Sequence, residues 1–498
     1  MTFSNVGLLS ITPKSLGLTG TFTGTKVYDG STAVTVSGTG IGYVGLINGD
    51  AVSVSTLSGT FDTRHVGTGK TITLSGITLS GAGAANYTLD ANTSSTGTGS
   101  ITQRDSVTWV GTSTGNWSTA SNWALSSDTS RTGALPDGNN VALAIIPSSF
   151  SATVVADTAN GYTGKVRVNG GTLSTASDSY LGAVPGAAVS DAITLDGGTL
   201  QATSNLTLNA NRGITLGNSG GTFTVDPSVS VNYAGVIAGT GGLTKSGSGT
   251  LSVSGSNTYS GGSSISAGTL KVGVAAVGSV GAVTSSALGT ANVTVVSGAT
   301  LDLYGFTLPN ALSIAGTGVS SNGALSNTAA TPISVTGAIT LTGASTFSST
   351  PGITLNVVNG GAYALTVNAG TTTGTGDITL NDVMSFSGEN ISTFTAARHI
   401  NINAPISVNG TTSASGIALI YNQANGGGDY NFGLTATGSG ASLAASFNGA
   451  ITFANTASTF TTKNYTATTK SYTLVDAFTS TGASATSPPP GSTSRPWT

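Results

Sequence analysis

The sequence predicts an all-β protein in which a small N-terminal domain with a β-sandwich-like fold precedes an elongated right-handed parallel β-helix, or solenoid. Gly fills 73 of the 498 positions, and segments rich in Val, Ile and Thr alternate apolar with polar side chains. Such alternation is typical of strands, and Gly allows the chain to turn between them. Apolar residues never recur at helical spacing over three turns, and only Ser442 to Phe447 suggests a turn of helix.

The composition argues against disorder and against several classes of partner. Disordered chains carry high net charge and few β-branched residues, whereas this chain has a net charge of −3 and is dense in Val, Ile and Thr. The 15 Lys and Arg lie singly among 18 Asp and Glu, so no basic patch is present to bind nucleic acid or an anionic membrane. The absence of cysteine excludes disulfides and thiolate metal sites and fits a protein that folds outside the cell.

The N-terminus shows no recognisable export signal. MTFSNVGLLSITPKS (Met1 to Ser15) has neither a basic n-region nor a long apolar h-region. No run of about 18 apolar residues follows, so no transmembrane segment is expected. We therefore expect a location at the cell surface or in the medium, associated with the outer membrane, to depend on export signals that are missing from this chain.

Changes in composition divide the chain into five zones. They are a lead-in (1–13), a small β domain (14–103), a Trp-rich connecting or capping segment (104–150), parallel β-helix repeats (151–480) and a Pro- and Ser-rich tail (481–498). The tail has none of the preceding alternation, which predicts a disordered or aberrant end.

In the small β domain, short alternating segments are separated by turn residues. The segments are Ala33 to Ser37, Ala51 to Leu57, Lys70 to Leu74 and Tyr87 to Leu89. Strands this short and closely spaced predict a compact antiparallel sandwich of roughly 90 residues.

Four motifs in the same domain carry a family resemblance. They are KVYDGST (Lys26 to Thr32), INGDAVSV (Ile47 to Val54), GTFDTRHVGTGKTITLSGITLSGAGAANYTL (Gly59 to Leu89) and GSITQRD (Gly99 to Asp105). In order and spacing they resemble the YDG domain, which recurs in large haemagglutinin-like bacterial surface proteins. The resemblance covers about a fifth of the chain and implies a β-rich module of an exported adhesin.

The connecting segment contains three of the four tryptophans, Trp109, Trp117 and Trp123. Together with LPDGNNVALAIIP (Leu135 to Pro147), it resembles the segment that often leads into the repeats of autotransporter and filamentous haemagglutinin passengers. Clustered Trp rings can stack on sugar rings, or they can form a hydrophobic plug. The plug is the favoured interpretation, because Trp rings dominate small cores.

A GG-T-L-like unit recurs in the repeat zone and predicts a solenoid. Its Thr residues are Thr172, Thr199, Thr222, Thr250, Thr269 and Thr300, which lie 27, 23, 28, 19 and 31 positions apart. A β-helix tolerates such uneven spacing, because insertions can lie in its turns while each strand stacks on the previous one. We expect about 14 to 16 coils of roughly 20–25 residues each.

Parts of the repeat zone resemble two families of coils. Residues 239–303, with GTGGLTKSGSGTLSVSGSNTYSGGSSISAGTLKVG at their start, resemble the passenger-associated repeat of autotransporters. In that family the unit is one β-helical turn and is linked with secretion of the passenger. Arg398 to Gly410 and Ala450 to Phe478 resemble the coils of filamentous haemagglutinin-like exoproteins.

No catalytic, cofactor-binding or metal-binding residue is predicted. Acidic residues lie one or two per coil, whereas β-helical polysaccharide lyases and hydrolases need several on one face. The densest charged group is Asp377, Asp382, Glu389 and Arg398. Its carboxylates are expected to cap turn amides. The two histidines, His65 and His399, lie too far apart in sequence to be presumed a metal site.

These observations predict a fragment of a large exported adhesin, whose β-helix is a stalk that mediates cell adhesion or aggregation. The resemblance implies cell-surface or glycan receptors and an outer-membrane translocator as partners, and no nucleic acid. An unpaired last coil near Phe478 predicts self-association. Two alternatives stay open, a β-helical protein that binds or degrades polysaccharides and a truncated remnant without function, and so does the choice between two-partner and classical autotransporter secretion.

Overall fold

The structure, a computed structural model, describes residues 12–90, 96–370, 376–421, 430–432, 434–437, 444–447, 451–454, 458–464 and 470–473. These residues fall into two compact units. The first is formed by the described residues up to Pro147 together with 157–166 and 181–183, and the second by the others. Strands dominate both units, with single turns of 3-10 helix at Ala84–Asn86, Ala120–Asn122, Asp178–Leu181 and Val319–Ser321. The predicted all-β class is confirmed.

Among the described residues, no helix has the length and apolar character needed to span a membrane.

Seven strands of the first unit form a sheet in the predicted small β domain. In chain order, β1 to β7 are Lys14–Val27, Ala33–Thr35, Ser37–Val44, Ser53–Phe61, Gly67–Ser80, Tyr87–Leu89 and Thr96–Thr102. The sheet order is β2-β4-β5-β7-β1-β3, and β6 pairs with the start of β1. Alternate residues point inward, as Leu16, Leu18 and Phe22 do on β1, and they form the core of the domain.

The predicted strands of this domain are present, but their pairing is not purely antiparallel as expected. β1 pairs in parallel with both β6 and β7, so the sheet is mixed. Alternation in a sequence shows which face of a strand is buried, but it does not show in which direction the neighbouring strand runs. The alternation also fails to reveal β1, because Gly17, Gly20 and Gly24 interrupt its apolar pattern.

The Trp-rich segment adds a second sheet to the first unit. Strands β8 to β12 are Arg104–Trp109, Gly115–Asn116, Trp123–Leu125, Asp128–Thr132 and Val141–Ile146. β10 pairs antiparallel with β8 and β11, and β12 pairs in parallel with β8. This pairing places Trp109 directly opposite Trp123.

The second unit contains nearly all of the remaining strands. Strands β13 to β50 are, in order, Thr153–Ala156, Lys165–Val168, Thr172–Thr175, Val189–Leu195, Thr199–Ala202, Leu206–Leu208, Arg212–Leu216, Gly221–Val225, Ser230–Tyr233, Ile237–Gly239, Leu243–Ser246, Thr250–Val253, Ser263–Ile265, Thr269–Val272, Val277–Ser279, Ala282–Ser285, Val293–Val295, Thr300–Asp302, Thr307–Leu308, Leu312–Gly316, Leu325–Asn327, Ile333–Val335, Ile339–Ser349, Ile353–Leu355, Val358–Gly361, Leu365–Ala369, Ile378–Leu380, Met384–Phe386, Ile391–Ala396, Ile400–Ile402, Ile406–Val408, Gly416–Tyr421, Tyr430–Phe432, Leu434–Thr437, Ala444–Phe447, Ile451–Phe453, Thr459–Asn464 and Lys470–Thr473.

Parallel stacking of these strands confirms the predicted β-helix. In the described residues, one face stacks thirteen strands from β13 to β48. A second face runs from β18 to β49, and a third includes β16, β19 and β22 and then β31 to β45. The thirteen strands are slightly fewer than the 14 to 16 coils expected. The reason is that β43 pairs directly with β48, so the chain between Val408 and Ile451 adds no strand to the first face.

The expected helical turn at Ser442 to Phe447 is wrong. Ala444–Phe447 forms β47, which pairs antiparallel with β46. Pairing with a neighbouring strand therefore overrides the weak local preference of this segment.

The recurring Thr residues stack, but in two separate columns. One column contains Thr172, Thr199, Thr222 and Thr244, and the other contains Ser230, Thr250, Thr269 and Thr300. The 28-residue step from Thr222 to Thr250 is longer than the coil that begins there, so Thr250 lies on the next face. Similar sequence units thus occupy different faces of the same β-helix.

Lys245 occupies an inward position on β23, where neighbouring coils place apolar residues. It is paired with Phe223 in the preceding coil and with Ile265 in the following one. Its side chain is fully buried. The alternation along β23 predicts an apolar residue at this inward position. A lysine here is unexpected, because lysine is almost never fully buried without partners.

The amine of Lys245 is held by backbone carbonyls. Nζ donates to the oxygens of Ser246 and Gly247, both at 2.8 Å, and to that of Ala267 at 3.1 Å. Three acceptors match the three donors of an ammonium group. Burial nevertheless lowers the pKa of Lys245 to about 8.

We expect Lys245→Met to lower the free energy of unfolding at pH 7 by about 1–3 kcal/mol, because buried carbonyl oxygens lose their donors. Between pH 8 and the ordinary lysine pKa of 10.5, the unfolded chain holds a proton that the folded chain has lost. Stability of the parent protein should therefore rise with pH in this window, and its advantage over the variant should grow. Urea unfolding at pH 7 to 10 measures the difference, and a difference independent of pH would contradict the buried amine.

Candidate functional site

The three clustered tryptophans lie in the core of the Trp-rich segment. Trp109, Trp117 and Trp123 expose only 2%, 5% and 0% of their surfaces. Trp123 contacts Trp109 and Trp117 edge to face, with ring centroids 5.2 and 4.6 Å apart. Trp117 also contacts Tyr162, with the centroids 5.8 Å apart. Rings this deeply packed offer no face to a sugar, so the structure supports a packing role over sugar binding.

The tripeptide Tyr28-Asp29-Gly30, which gives the YDG motif its name, contacts the Trp-rich segment. Tyr28 Oη donates to the carbonyl oxygen of Leu135 at 2.9 Å. Burial raises the pKa of Tyr28 well above its ordinary value, although the nearby Arg64 opposes the shift, so the hydroxyl keeps its proton. Gly30 has a φ of +83° and packs so closely that an added Cβ would lie 2.1 Å from the carbonyl oxygen of Gly133. Both ends of the tripeptide therefore contact the same turn.

Asp29, the middle residue, links the two segments through charge. Its carboxylate forms ion pairs with Lys26 at 2.6 Å and with Arg131 of β11 at 3.3 Å. It also accepts from the backbone nitrogen and the hydroxyl of Ser31, both at 2.9 Å. Burial opposes ionisation, but the hydrogen bonds from Lys26 and Ser31 hold the pKa of Asp29 below its ordinary range.

The turn that contains Arg64 and His65 also contacts the Trp-rich segment. Arg64 Nη2 binds Asp137 Oδ2 at 2.6 Å. Asn140 is fully buried, and its Oδ1 accepts from the backbone nitrogen of Val66 at 2.9 Å. Asn140 Nδ2 lies 3.0 Å from His65 Nδ1 and donates to Asp137 Oδ1 at 2.5 Å. The two zones that the sequence separates at residue 103 thus share one polar network.

The structure does not bring together the three carboxylates of the densest charged group. Asp377 precedes β39, Asp382 lies between β39 and β40, and Glu389 lies between β40 and β41. They therefore occupy successive corners of one coil. Arg398 binds both oxygens of Asp377, at 2.9 and 2.6 Å, and the backbone nitrogen of His399 donates to Asp377 at 3.0 Å. Despite burial, the bonds from Arg398 hold the pKa of Asp377 below its ordinary value.

Glu389 is bound by four donors of the following coil. Its Oε1 accepts from the backbone nitrogen and the hydroxyl of Thr411, at 2.6 and 2.8 Å. Its Oε2 accepts from the backbone nitrogen of Thr412 at 2.9 Å and from the Thr412 hydroxyl. These hydrogen bonds, with that from the Thr412 hydroxyl first, lower the pKa of Glu389 to about 2.

Carboxylates in several coils share this arrangement. Each accepts a hydrogen bond from a backbone amide about one coil later in the chain. The pairs are Asp178 with Asn209, Asp196 with Ser219, Asp302 with Thr328, Asp377 with His399 and Glu389 with Thr411. The expectation that turn carboxylates cap amides is confirmed at these positions, and the structure adds that the amides belong to the next coil. Asp429, a further acidic residue of the repeat zone, lies outside the described residues.

The two histidines, His65 and His399, lie in different units and make separate contacts. His65 lies beside Asn140 in the first unit, and the backbone nitrogen of His399 donates to Asp377 in the second. In the part of the chain that the structure describes, no three His, Asp or Glu side chains group so as to hold a metal ion.

A shallow groove of about 560 Å³ lies along the second unit. Residues at the corners and strand starts of successive coils line it, among them Asn218–Thr222, Gly242–Thr244, Ser260–Ser264 and Ala291–Asn292. The lining contains Gly, Ser, Thr, Asn, Ala and Leu, so it supplies no side chain for acid–base chemistry near neutral pH. The sequence does not predict the groove, because small polar residues at corners are typical of any turn.

Two family models match the chain. The YDG domain model matches residues 12–97, and the passenger-associated-transport-repeat model matches residues 154–174 and 243–272. The chain contains a YDG domain and passenger-associated-transport repeats. The first match contains three of the four motifs that resemble a YDG domain, and the repeat at 243–272 lies within residues 239–303, which resemble the passenger-associated repeat. The repeat at 154–174 contains the first GG-T-L-like unit, at Thr172, but its similarity to the passenger-associated repeat is not predicted from the sequence.

One curated relative is an adhesin. The adhesin BmaC autotransporter of Brucella suis biovar 1 (strain 1330) is 36% identical over 112 residues, which are 22% of this chain and 3% of that protein. The chain therefore matches only a small part of a much longer protein. No solved structure is significantly similar to the chain.

We expect Gly30→Ala to lower the free energy of unfolding of the first unit by about 3 kcal/mol or more. Alanine at this position would have to adopt a positive φ, and its Cβ would also clash with the carbonyl oxygen of Gly133. Gly49→Ala is the matched control, since Gly49 has a φ of +100° but no atom within 4 Å of an added Cβ. The control should cost about 1–2 kcal/mol, from the backbone conformation alone. Urea unfolding followed by Trp fluorescence measures both, and equal effects would show that the contact with Gly133 does not stabilise the unit.

We expect Glu389→Gln to lower the thermal unfolding midpoint at pH 7, because a neutral amide accepts hydrogen bonds from Thr411 and Thr412 less strongly than a carboxylate. Because the pKa of Glu389 is lower in the folded chain, its carboxylate stabilises the fold fully at pH values above the ordinary pKa of 4.5. This contribution is lost as the pH falls toward about 2. The difference between variant and parent should therefore shrink over that range. Asp382→Asn, at a neighbouring corner, is the control, and circular dichroism follows the melting. A difference that persists at pH 2 would rule out the role of the Glu389 charge.

Proposed function

We propose that this chain is part of a large exported bacterial adhesin, in which the β-helix is a structural support for adhesion or aggregation of cells. The observation that carries the proposal is the presence, in one chain, of a YDG domain, passenger-associated-transport repeats and similarity to an adhesin autotransporter. Because that similarity covers only a small part of the relative, adhesion by this chain is an inference from its modules.

The chemistry of the described residues supports a structural, non-enzymatic role. A polysaccharide lyase or hydrolase needs carboxylates that converge on one substrate. Five of the described carboxylates of the β-helix, those of Asp178, Asp196, Asp302, Asp377 and Glu389, instead bind amides about one coil later, and Asp377 is also bound by Arg398. No observation favours a polysaccharide-degrading enzyme.

We also propose a location for the protein and a route for its export. The passenger-associated-transport repeats and the autotransporter relative favour the classical autotransporter route over two-partner secretion. We infer a location at the cell surface or in the medium, with an outer-membrane translocator as the export partner. Cell-surface proteins or glycans are the inferred receptors.

Adhesion can be tested with fluorescent beads that carry the purified full chain. We expect them to attach to epithelial or bacterial cells about tenfold more than albumin-coated beads, because many chains on one bead add weak contacts into avidity. Beads coated with heat-denatured chain control for unfolded surface. Attachment no better than albumin would contradict the adhesive role. Release of reducing ends from acidic polysaccharides, abolished by Asp377→Asn, would favour the enzyme instead.

A further inference from the structure

Six Asn-Gly pairs in the described residues are candidates for spontaneous deamidation. In this reaction the backbone nitrogen of the following residue attacks the side-chain amide carbon of asparagine. Glycine permits the attack best, because it has no Cβ to obstruct its own nitrogen. The structure separates the pairs by how freely the two reacting groups can meet. The pairs are Asn48-Gly49, Asn160-Gly161, Asn169-Gly170, Asn322-Gly323, Asn359-Gly360 and Asn409-Gly410.

Four of the pairs are protected because their glycines are buried in the second unit. The backbone nitrogen of Gly323 donates to the oxygen of Thr317 at 2.7 Å, so the attacking atom is already bonded. Asn359 lies within β37 and pairs with strands of the coils before and after it. Attack in such a place requires the coil to open first, which a packed strand does only rarely. The four buried glycines are Gly170, Gly323, Gly360 and Gly410.

The pair Asn160-Gly161 has an exposed glycine, but its asparagine is held in place. Asn160 Oδ1 accepts from the backbone nitrogen of Tyr162 at 3.0 Å. Tyr162 is buried, so this bond ties the side-chain amide to a packed part of the chain. The amide must leave this bond before the nitrogen of Gly161 can attack it. We therefore expect slower reaction here than at an asparagine whose side chain is not held.

Asn48-Gly49 differs from the other pairs, because both of its residues are exposed. No described residue accepts a hydrogen bond from the backbone nitrogen of Gly49 or binds the side chain of Asn48. A Cβ added at Gly49 would have no atom within 4 Å. The turn is closed by one backbone hydrogen bond, from the nitrogen of Asp50 to the oxygen of Ile47 at 3.1 Å. An exposed turn of this kind opens without any opening of the core.

Deamidation of Asn48 would alter a turn that is tied to the sheet of the first unit. Tyr87 Oη donates to Asp50 Oδ2 at 2.5 Å and accepts from the backbone nitrogen of Ile47 at 3.0 Å. A new carboxylate at position 48 would lie two residues from Asp50 and repel it. An isoaspartate would also add one carbon to the main chain between Ile47 and Asp50. Both changes oppose the contacts that Tyr87 makes with this turn.

We propose that Asn48 is a site of spontaneous deamidation in the folded protein. The nitrogen of Gly49 bonds to Cγ of Asn48, the Cγ–Nδ2 bond breaks, and the departing group takes the proton of the glycine nitrogen and leaves as ammonia. Water then opens the cyclic imide. Opening at Cγ gives aspartate, and opening at the main-chain carbon gives isoaspartate. This inference goes beyond the proposed adhesive function and does not depend on it.

Peptide mapping of the full chain, after weeks in mildly alkaline buffer at body temperature, tests the proposal. The tryptic peptide Val27 to Arg64 contains Asn48 as its only asparagine and has no glutamine. A gain of about 1 Da in this peptide therefore reports the reaction at Asn48. We expect the rate at Asn48 to exceed the rates at the four buried pairs by about tenfold or more, because those pairs react only after local opening.

The same incubation in concentrated urea separates the effect of the fold from that of the sequence. There the six rates should converge, mainly because the buried pairs become as accessible as Asn48. Fragmentation of the peptides assigns each mass gain to one asparagine. A sample digested without incubation measures the reaction that occurs during digestion. Isoaspartyl methyltransferase with labelled S-adenosylmethionine should label the peptide that contains Asn48, because one of the two products is isoaspartate.

Asn48→Gln is the matched control, because it keeps an amide at this position but must form a larger ring, which closes much more slowly. The variant peptide should keep its mass over the incubation. The proposal would be overturned if Asn48 reacted no faster than the buried pairs in the folded chain, or only in urea. A mass gain that persists in Asn48→Gln, or faster reaction at Asn160 than at Asn48, would also contradict it.

Discussion

Hydrogen bonding between successive coils is the constraint on which the second unit depends. A strand in a parallel stack finds its partners only in the coils directly before and after it, so each coil must place its strand at the same position. Thr250, Thr269 and Thr300 satisfy this rule although they are unevenly spaced in sequence. Extra residues must then leave the stack at a corner, as the antiparallel hairpin of β27 and β28 does. Coils therefore differ in length mainly in segments that project from the stack, where new surface can form without disturbing the core.

The few charged residues mostly hold the structure together. Carboxylates such as those of Asp302 and Glu389 bind amides of the next coil, and the buried amine of Lys245 binds three carbonyls. In the first unit, Asp29 and Asp137 link the YDG domain to the Trp-rich segment through Arg131 and Arg64. A protein that uses its charges in this way has few left to build a catalytic centre.

Much of the fold could be predicted because its signals are local. Tyr87–Leu89 is predicted as a strand from alternation alone, and the GG-T-L unit predicts stacked coils. The packing role of the Trp cluster also follows from residue type. The candidate surfaces could not be predicted in the same way. Nothing near Tyr28 in the sequence indicates a bond to Leu135, and nothing near Lys245 indicates that it points inward.

By itself, the sequence determined that the chain is all-β and that its repeats stack as coils, because alternation and glycine placement are properties of short segments. Only the tertiary structure decided which face each repeat occupies, that β1 pairs in parallel, and that the Tyr28-Asp29-Gly30 tripeptide packs on the turn around Gly133. These features depend on contacts between residues far apart in the chain. Such contacts are set by how coils and strands close on one another, which no short segment records.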